Sequence, residues 1–178
     1  MVRCFIGILI PEELKEYVES IKRELPDLPM NCKFVERENL HICLSFLGET
    51  DNSKIKSISE NLDSVCTEFS SFDVVIDGMK MIPNENYIRV LALDVIDRAS
   101  NIEKITGEVL KRIGGDSHPP HLTLCRVKNI RDKQSAVQKI KSIKTENIPL
   151  LVSSIQLIKS ELKKTGPVYS SIYDAKLR

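Results

Sequence analysis

Two stretches of this sequence place a histidine two residues before a small side chain that can donate a hydrogen bond. His41 precedes Cys43 in the first stretch, His121 precedes Thr123 in the second, and each stretch is an apolar run. In a β-strand, residues i and i+2 share one face and lie roughly 6.5–7 Å apart. We therefore expect each histidine and its donor to point to one face, while the apolar residues between them point into a core.

Two imidazoles that face each other across a groove can act as an acid–base pair, because an unperturbed histidine titrates around pH 6.5. One, neutral, takes a proton from an attacking water or hydroxyl, and the other, protonated, gives a proton to the leaving oxygen. This arrangement suits in-line displacement at phosphorus. Thr123 and Cys43 would donate hydrogen bonds to the non-bridging phosphate oxygens, and Arg126 would neutralise the charge that develops on them. The scheme needs no metal ion or other cofactor.

Each of these residues also has a structural interpretation. A single His-x-Thr on an apolar strand is more often a satisfied structural histidine than a catalyst. Arg126 can equally be a surface charge at the end of its strand. The spacing of the histidines and carboxylates does not match a metal site. Four more cations flank the motifs and can line an anionic groove or simply be solvated: Lys33, Arg37, Lys128 and Arg131.

Composition excludes some classes of protein. The 178 residues carry a net charge of +1, so there is no global attraction to nucleic acid, and any such contact must come from a local cluster of Lys and Arg. The five cysteines are odd in number and show no CxxC spacing, which favours reduced thiols in a cytoplasmic protein. The apolar start, residues 2–10, is too short for a membrane span. We interpret it as a first strand.

The predicted elements recur along the chain in the order strand, helix, histidine strand, helix and hairpin. The histidines at positions 41 and 121 are 80 residues apart, as are the predicted helix starts near Asn52 and Asp132, and the strands near Phe72 and Leu151 are 79 apart. We interpret this as an internal duplication, although alternation of helices and strands alone produces much of the pattern. The predicted fold is α+β, one bilobal domain over 1–178. Two pseudo-twofold-related lobes with antiparallel sheets would line a central cleft, with the helices outside.

Local signals give further expectations. Gly48 is predicted to end the first histidine strand, and Asn52 or Ser53 to cap the helix after it. The run 149–159 reads as one strand. Residues 165–167 are predicted to turn into a last strand, and Phe46 to be a core or groove-wall aromatic.

In these motifs the chain resembles the 2H phosphoesterase superfamily, in particular the RNA 2′,3′-cyclic phosphodiesterases that are also called 2′-5′ RNA ligases. The family's paired His-x-Thr/Ser motifs look like 41–43 and 121–123. The supporting matches span nearly the whole chain and are Arg3–Ile6, Leu40–Glu49, Pro120–Arg126 and Gly166–Tyr169.

The resemblance implies a bilobal fold with both motifs in a central cleft, and His41 and His121 as catalytic residues. It implies cofactor-free opening of an RNA 2′,3′-cyclic phosphate to a 2′-phosphate, and in some members the joining of tRNA halves through a 2′-5′ linkage. The expected partners are RNA 3′ ends with a cyclic phosphate, and tRNA halves. We expect no membrane contact and a monomer.

One residue departs from the family pattern. Cys43 stands where Thr or Ser is usual, and a thiol is a weaker hydrogen-bond donor than a hydroxyl. We expect weaker phosphate binding on that wall with the acid–base chemistry preserved. The alternative from another class is a non-catalytic RNA or nucleotide binding module with the same cleft. Two titrating histidines disfavour it, because binding alone does not need them.

Overall fold

The computed structural model describes residues 1–164 and 166–178, and in these residues the chain forms a nine-stranded antiparallel sheet with helices packed against it. The elements are β1 (Val2–Leu9), α1 (Glu12–Lys22), β2 (Met30–Phe34), β3 (His41–Thr50), α2 (Ile55–Cys66), β4 (Phe72–Asn84), β5 (Tyr87–Ile96), α3 (Asn101–Arg112), β6 (His121–Ile130), α4 (Lys133–Ser142), β7 (Ile148–Val152), β8 (Ser154–Lys163) and β9 (Gly166–Lys176). None of the helices in the described residues is long and apolar enough to cross a membrane.

The strand order divides the sheet into two lobes. Lobe A contains β3, β1, β8 and β9, and lobe B contains β7, β4, β5 and β6, with β2 paired to the free side of β6. The lobes meet where β3 and β6 pair through Ile42 and Leu122 alone. Both side chains are fully buried, as the alternation of the motif predicts. The structure thus confirms the α+β class and the two lobes, and adds that their sheets join at one residue pair.

The helices cover the lobes from outside. On lobe A, α2 packs against β8 and β9, and α3 packs against β3. On lobe B, Lys22 of α1 donates a hydrogen bond to the carbonyl of Val35, just after β2 (2.5 Å). The Tyr17 hydroxyl of α1 accepts from the backbone N–H of Glu146 (2.7 Å), between α4 and β7. The amphipathic spacing of α1 therefore buries Leu14, Val18 and Ile21.

Three local expectations were wrong. The strand expected over 149–159 is two strands divided at Ser153, because β7 pairs with β4 in lobe B while β8 pairs with β1 in lobe A. The first histidine strand runs past Gly48 to Thr50, since Gly48 (φ +69°) lies at a β-bulge that leaves Leu47 unpaired. The second helix is preceded by a 3₁₀ turn in which Asp51, one residue earlier than expected, accepts from the Ser53 N–H.

Other expectations hold. β4 and β5 form the predicted hairpin. The last strand is present but begins two residues earlier than expected, because Gly166 and Pro167, which were expected in the turn, pair with β8. Thr165 lies outside the described residues. The two histidine strands begin and end 80 residues apart, at His41–Thr50 and His121–Ile130. The duplication itself stays a prediction.

The segments that lead into the two histidine strands are exchanged between them. β2 precedes β3 in the chain but pairs with β6. Asp116 precedes β6 but pairs with Phe46 of β3, through backbone hydrogen bonds of 2.8 and 3.0 Å. Each histidine strand is therefore held in place by the approach to the other.

Gly115 makes one of these exchanged contacts possible. Its φ is +99°, and a Cβ there would lie 2.3 Å from Ser45 Oγ and 2.8 Å from the Phe46 carbonyl oxygen. The Ser45 hydroxyl donates to the carbonyl of the preceding Gly114 (2.7 Å), which fixes the same segment against β3. Only glycine allows this close backbone approach.

We expect Gly115→Ala to lower the free energy of unfolding by about 1–3 kcal/mol, because the new Cβ must displace backbone in a fixed pairing. Gly107→Ala is the matched control. Gly107 lies in α3, and a Cβ added there would meet no other atom within 4 Å, so the same change should raise stability by about 0.5–1 kcal/mol. Urea unfolding of both variants measures the difference. Equal effects would contradict the role given to Gly115.

Candidate active site

The pair of Ile42 and Leu122 brings the two histidine motifs together. Because the strands are antiparallel at this pair, the register sets His41 alongside Thr123 and His121 alongside Cys43. Farther on, β3 pairs with Asp116 and β6 pairs with β2, so the two strands diverge. A cleft opens between the lobes with the motif side chains at its base.

Both imidazoles are oriented by the same backbone contact. Nδ1 of His41 lies 2.7 Å from the Asn39 carbonyl oxygen, and Nδ1 of His121 lies 2.8 Å from the Pro119 carbonyl oxygen. A carbonyl only accepts, so Nδ1 carries the proton in each ring. Nε2 is left in both rings as the atom that can take up or release a proton.

The surroundings disfavour the charged form of both histidines. Burial lowers the pKa of His41, and the charges of His121 and Arg126 lower it further, against the opposing effect of the Asn39 carbonyl. Burial is also the main cause that lowers the pKa of His121, with Lys80, His118 and Arg126 adding to it against the Pro119 carbonyl. Both rings are therefore neutral in the free protein at neutral pH.

Asn39 connects His41 to the last strand, and sequence reasoning missed it. Its side chain is buried, donates to the Pro167 carbonyl (2.7 Å) and accepts from the Tyr169 N–H (3.2 Å). Its own carbonyl oxygen holds His41. The segment 36–39 read only as a turn, because partners about 130 residues away leave no local signal.

Two aromatic rings pack against His41. The ring centroids of Phe5 and His41 are 4.7 Å apart, and Tyr169 meets His41 edge-on at 5.3 Å. Phe5 and Tyr169 also contact each other at 4.9 Å. These rings exclude water from one side of the imidazole and restrict its rotation.

Arg126 reaches the cleft because of a β-bulge. β5 places Leu91 opposite Cys125 and Ala92 opposite Thr123, so Leu124 has no partner. This extra residue reverses the alternation, and Arg126 shares the face of Thr123 and His121 instead of pointing to the core. Its guanidinium lowers the pKa of both histidines. The structure thus brings Arg126 together with the motif residues.

β3 carries a matching bulge at Leu44, between the pairs Gly7–Cys43 and Ile6–Ser45. It turns Phe46, the position equivalent to Arg126, outward, and 38% of this side chain is exposed. The Arg3 guanidinium carbon lies 5.1 Å from the Phe46 ring centroid. Phe46 therefore belongs to the cleft wall, one of the two interpretations that the sequence left open.

Cys43 lies at the base of the cleft with its thiol protonated. Burial raises its pKa to about 11. At neutral pH the sulfur is therefore a weak hydrogen-bond donor and not a thiolate nucleophile.

An ion pair beside His121 was also not predicted from the sequence. Asp94 of β5 lies opposite His121, and its carboxylate is 2.5 Å from Lys80 Nζ of β4. The pair joins residues on two strands, and nothing in the spacing of Lys80 and Asp94 points to it.

In the part of the chain that the structure describes, no three His, Cys, Asp or Glu side chains are grouped closely enough to hold a metal ion.

Comparison with protein families gives a match over most of the chain. The model of the LigT-like phosphoesterase family matches residues 8–92 and 94–169. A Methanocaldococcus jannaschii protein named RNA 2′,3′-cyclic phosphodiesterase is 32% identical over 178 residues, which cover 96% of this chain and 98% of the relative. One of the same name from Methanothermobacter thermautotrophicus is 29% identical over 177 residues, 96% of each chain.

Solved structures share the fold. The crystal structure of TT0787 of Thermus thermophilus aligns with a TM-score of 0.79 at 22% identity and covers 99% of this chain and 98% of that one. E. coli LigT complexed with 3′-AMP aligns with a TM-score of 0.76 at 19% identity, with the same coverage.

We expect both cleft histidines to titrate below about pH 6.5 in the free protein, because burial and neighbouring cations disfavour their charged forms. The folded protein then binds these protons less readily than the unfolded chain. Their contribution to stability is present above about pH 6.5 and is lost as the pH falls below it. NMR titration of the ring Cε1–H signals, assigned with His41→Gln and His121→Gln, gives both pKa values. A value at or above 6.5 for either ring would contradict this.

Proposed function

The chain belongs to the LigT-like phosphoesterase family, and we propose that it is an RNA 2′,3′-cyclic phosphodiesterase that opens a terminal cyclic phosphate to a 2′-phosphate. As a phosphoesterase it is a hydrolase. The observation that carries the proposal is the register at Ile42 and Leu122, which sets two histidines with available Nε2 atoms beside two hydrogen-bond donors. The names of the relatives support the choice of substrate.

The reaction needs one neutral and one protonated imidazole. The neutral ring takes a proton from water as the water oxygen attacks phosphorus, and the bond from phosphorus to the 3′-oxygen breaks. The protonated ring gives its proton to that 3′-oxygen, so the product carries a 2′-phosphate and a 3′-hydroxyl. The histidine that reaches the departing oxygen is the acid.

Substrate binding favours the single protonation that this chemistry needs. In the free cleft, burial keeps both rings neutral. A phosphate anion between the rings favours an added proton on one of them, because an opposite charge raises a histidine pKa. The ring that takes up this proton can act as the acid, and the ring that stays neutral can act as the base.

Three side chains would hold the phosphate. Thr123 and Cys43 donate to its non-bridging oxygens from opposite walls, and Arg126 neutralises the charge that builds up on them. The neutral thiol of Cys43 suits a donor and not a nucleophile.

The same groups would serve a 2′-5′ RNA ligase activity, in which the 5′-hydroxyl of a second RNA, such as a tRNA half, attacks phosphorus in place of water. The bond to the 3′-oxygen again breaks, and the product carries a 2′-5′ linkage and a 3′-hydroxyl. We propose a monomer in the cytoplasm, where the five free thiols stay reduced.

The test is hydrolysis of an RNA oligonucleotide ending in a 2′,3′-cyclic phosphate, with EDTA present. The parent should form a 2′-phosphate, and His41→Ala and His121→Ala should each lower kcat/KM by about 10²–10⁴-fold, the usual contribution of an acid or base. His118→Ala is the matched control, because His118 is exposed and outside both motifs. Its charge contributes to lowering the pKa of His121, so the variant should retain activity and change at most the pH dependence. A parent that binds RNA tightly without turnover would instead support the binding module.

Cys43→Thr should lower KM about two- to tenfold with little change in kcat, because a hydroxyl is the stronger donor and one such bond contributes about 0.5–1.5 kcal/mol. Cys43→Ala removes the donor and should raise KM above that of the parent. Steady-state kinetics and inhibition by inorganic phosphate measure both changes. If the parent equals or exceeds Cys43→Thr in turnover and affinity, the idea fails.

A further inference from the structure

The two arms of the cleft that lead away from the histidines carry opposite charge. Residues 46–51 of the β3 arm include Glu49 and Asp51 and no cation. The equivalent residues 126–131 of the β6 arm, 80 positions later, include Arg126, Lys128 and Arg131 and no carboxylate. We call residues 126–131 together with Lys33 the basic arm.

β2 adds Lys33 to this arm. It lies directly opposite Arg126 in the pairing of β2 with β6. Lys128 lies at a second bulge, because β2 pairs Cys32 with Val127 and Asn31 with Asn129. Val127 packs against the core, and its exposed neighbours Arg126 and Lys128 project from the opposite face. The bulge at Leu124 has already turned that face toward the cleft. Three exposed cations, Arg126, Lys33 and Lys128, therefore extend from the bottom of the cleft along one wall of lobe B.

These cations have no carboxylate partner in the described residues. Within residues 1–164 and 166–178, no Asp or Glu oxygen lies within 4 Å of the charged groups of Lys33, Lys128 or Arg131. Arg37, the fourth flanking cation in the sequence, is different, because Glu12 binds it. The Glu36 carboxylate and Lys33 Nζ both lie near Gly166, but they do not form an ion pair within 4 Å. A row of like charges disfavours the folded state by self-repulsion, and bound phosphates would relieve that repulsion.

We propose that the RNA strand on the 5′ side of the cyclic phosphate lies along the basic arm, with its phosphodiesters contacting Lys33 and Lys128. This rests on the proposed function. Arg3 of β1 lies opposite Glu49, so the β3 arm has two carboxylates and one cation, a net charge of −1, against four cations in the basic arm. This charge difference gives an otherwise two-fold cleft a direction. Cations that follow a strand suit an extended single-stranded backbone. The preferred substrate is then an oligonucleotide and not a cyclic mononucleotide.

The experiment compares Lys33→Ala/Lys128→Ala with a control of equal charge change, Lys54→Ala/Lys56→Ala, whose lysines are exposed at the start of α2. Binding of a 5′-fluorescein RNA tetranucleotide with a 3′-terminal 2′-phosphate is followed by anisotropy between about 50 and 200 mM salt. Competition with adenosine 2′-phosphate gives the mononucleotide affinity. Hydrolysis of the matching cyclic phosphates is measured in parallel.

Loss of two phosphate contacts should lower the slope of log Kd against log salt by about 1.4, at about 0.7 per cation for single strands. Affinity should fall by a larger factor for the tetranucleotide than for the mononucleotide, while the control matches the parent. An unchanged slope, an equal loss for both ligands, or no tetranucleotide binding by the parent would overturn the proposal. A reduced slope without cyclic phosphate hydrolysis by the parent would refute the proposed function and leave the basic arm standing. Normal hydrolysis with an unchanged slope would support the proposed function and refute RNA binding along the basic arm.

Discussion

The antiparallel contact between Ile42 and Leu122 determines where both histidine motifs lie. It is the one residue pair that joins β3 to β6, and it fixes which side chains of the two motifs lie next to each other. The buried apolar pair sets the register, since a slip of either strand by one residue would turn its histidine into the core. The exchanged segments then separate the strands on either side, so that a single contact produces both the base of the cleft and its opening.

Electrostatics in the cleft follows from this geometry. Two imidazoles held close together in a partly buried groove, with Arg126 nearby, lose their protons more readily than they would in water. The Arg126 guanidinium, which disfavours protonation of the rings, also attracts a phosphate. The two halves differ in what supports each ring. His41 packs against Phe5 and Tyr169 and is oriented through buried Asn39, whereas His121 adjoins the Lys80–Asp94 pair. The backbone is close to symmetric, and the side chains are not.

The sequence predicted those features that depend on local patterns. The period-2 alternation of His41, Cys43, His121 and Thr123 identified the strands and the faces of the site, and the 80-residue offset suggested that the motifs belong together. Long-range features left no such trace. The direction of Arg126 depends on a bulge set by the pairing with β5, and strict alternation points it to the wrong face. The division at Ser153 was missed because β7 and β8 are both apolar runs, and only the fold shows that they belong to different lobes.

The exchange of β2 and the Asp116 segment has a consequence for how such a protein can arise. The first half of the chain contains β3 but supplies β2 to the other half, and its β4 also pairs in lobe B. A chain of half this length would pair one edge of β3 with β1 but leave the other edge without its partners, the Asp116 segment and β6. It would fold only as a homodimer whose two copies swap strands, and its stability would depend on concentration. If the chain arose by the duplication that its 80-residue period predicts, fusion of two such copies removed that dependence and freed each copy to change on its own. An acidic arm and a basic arm can diverge only after that step.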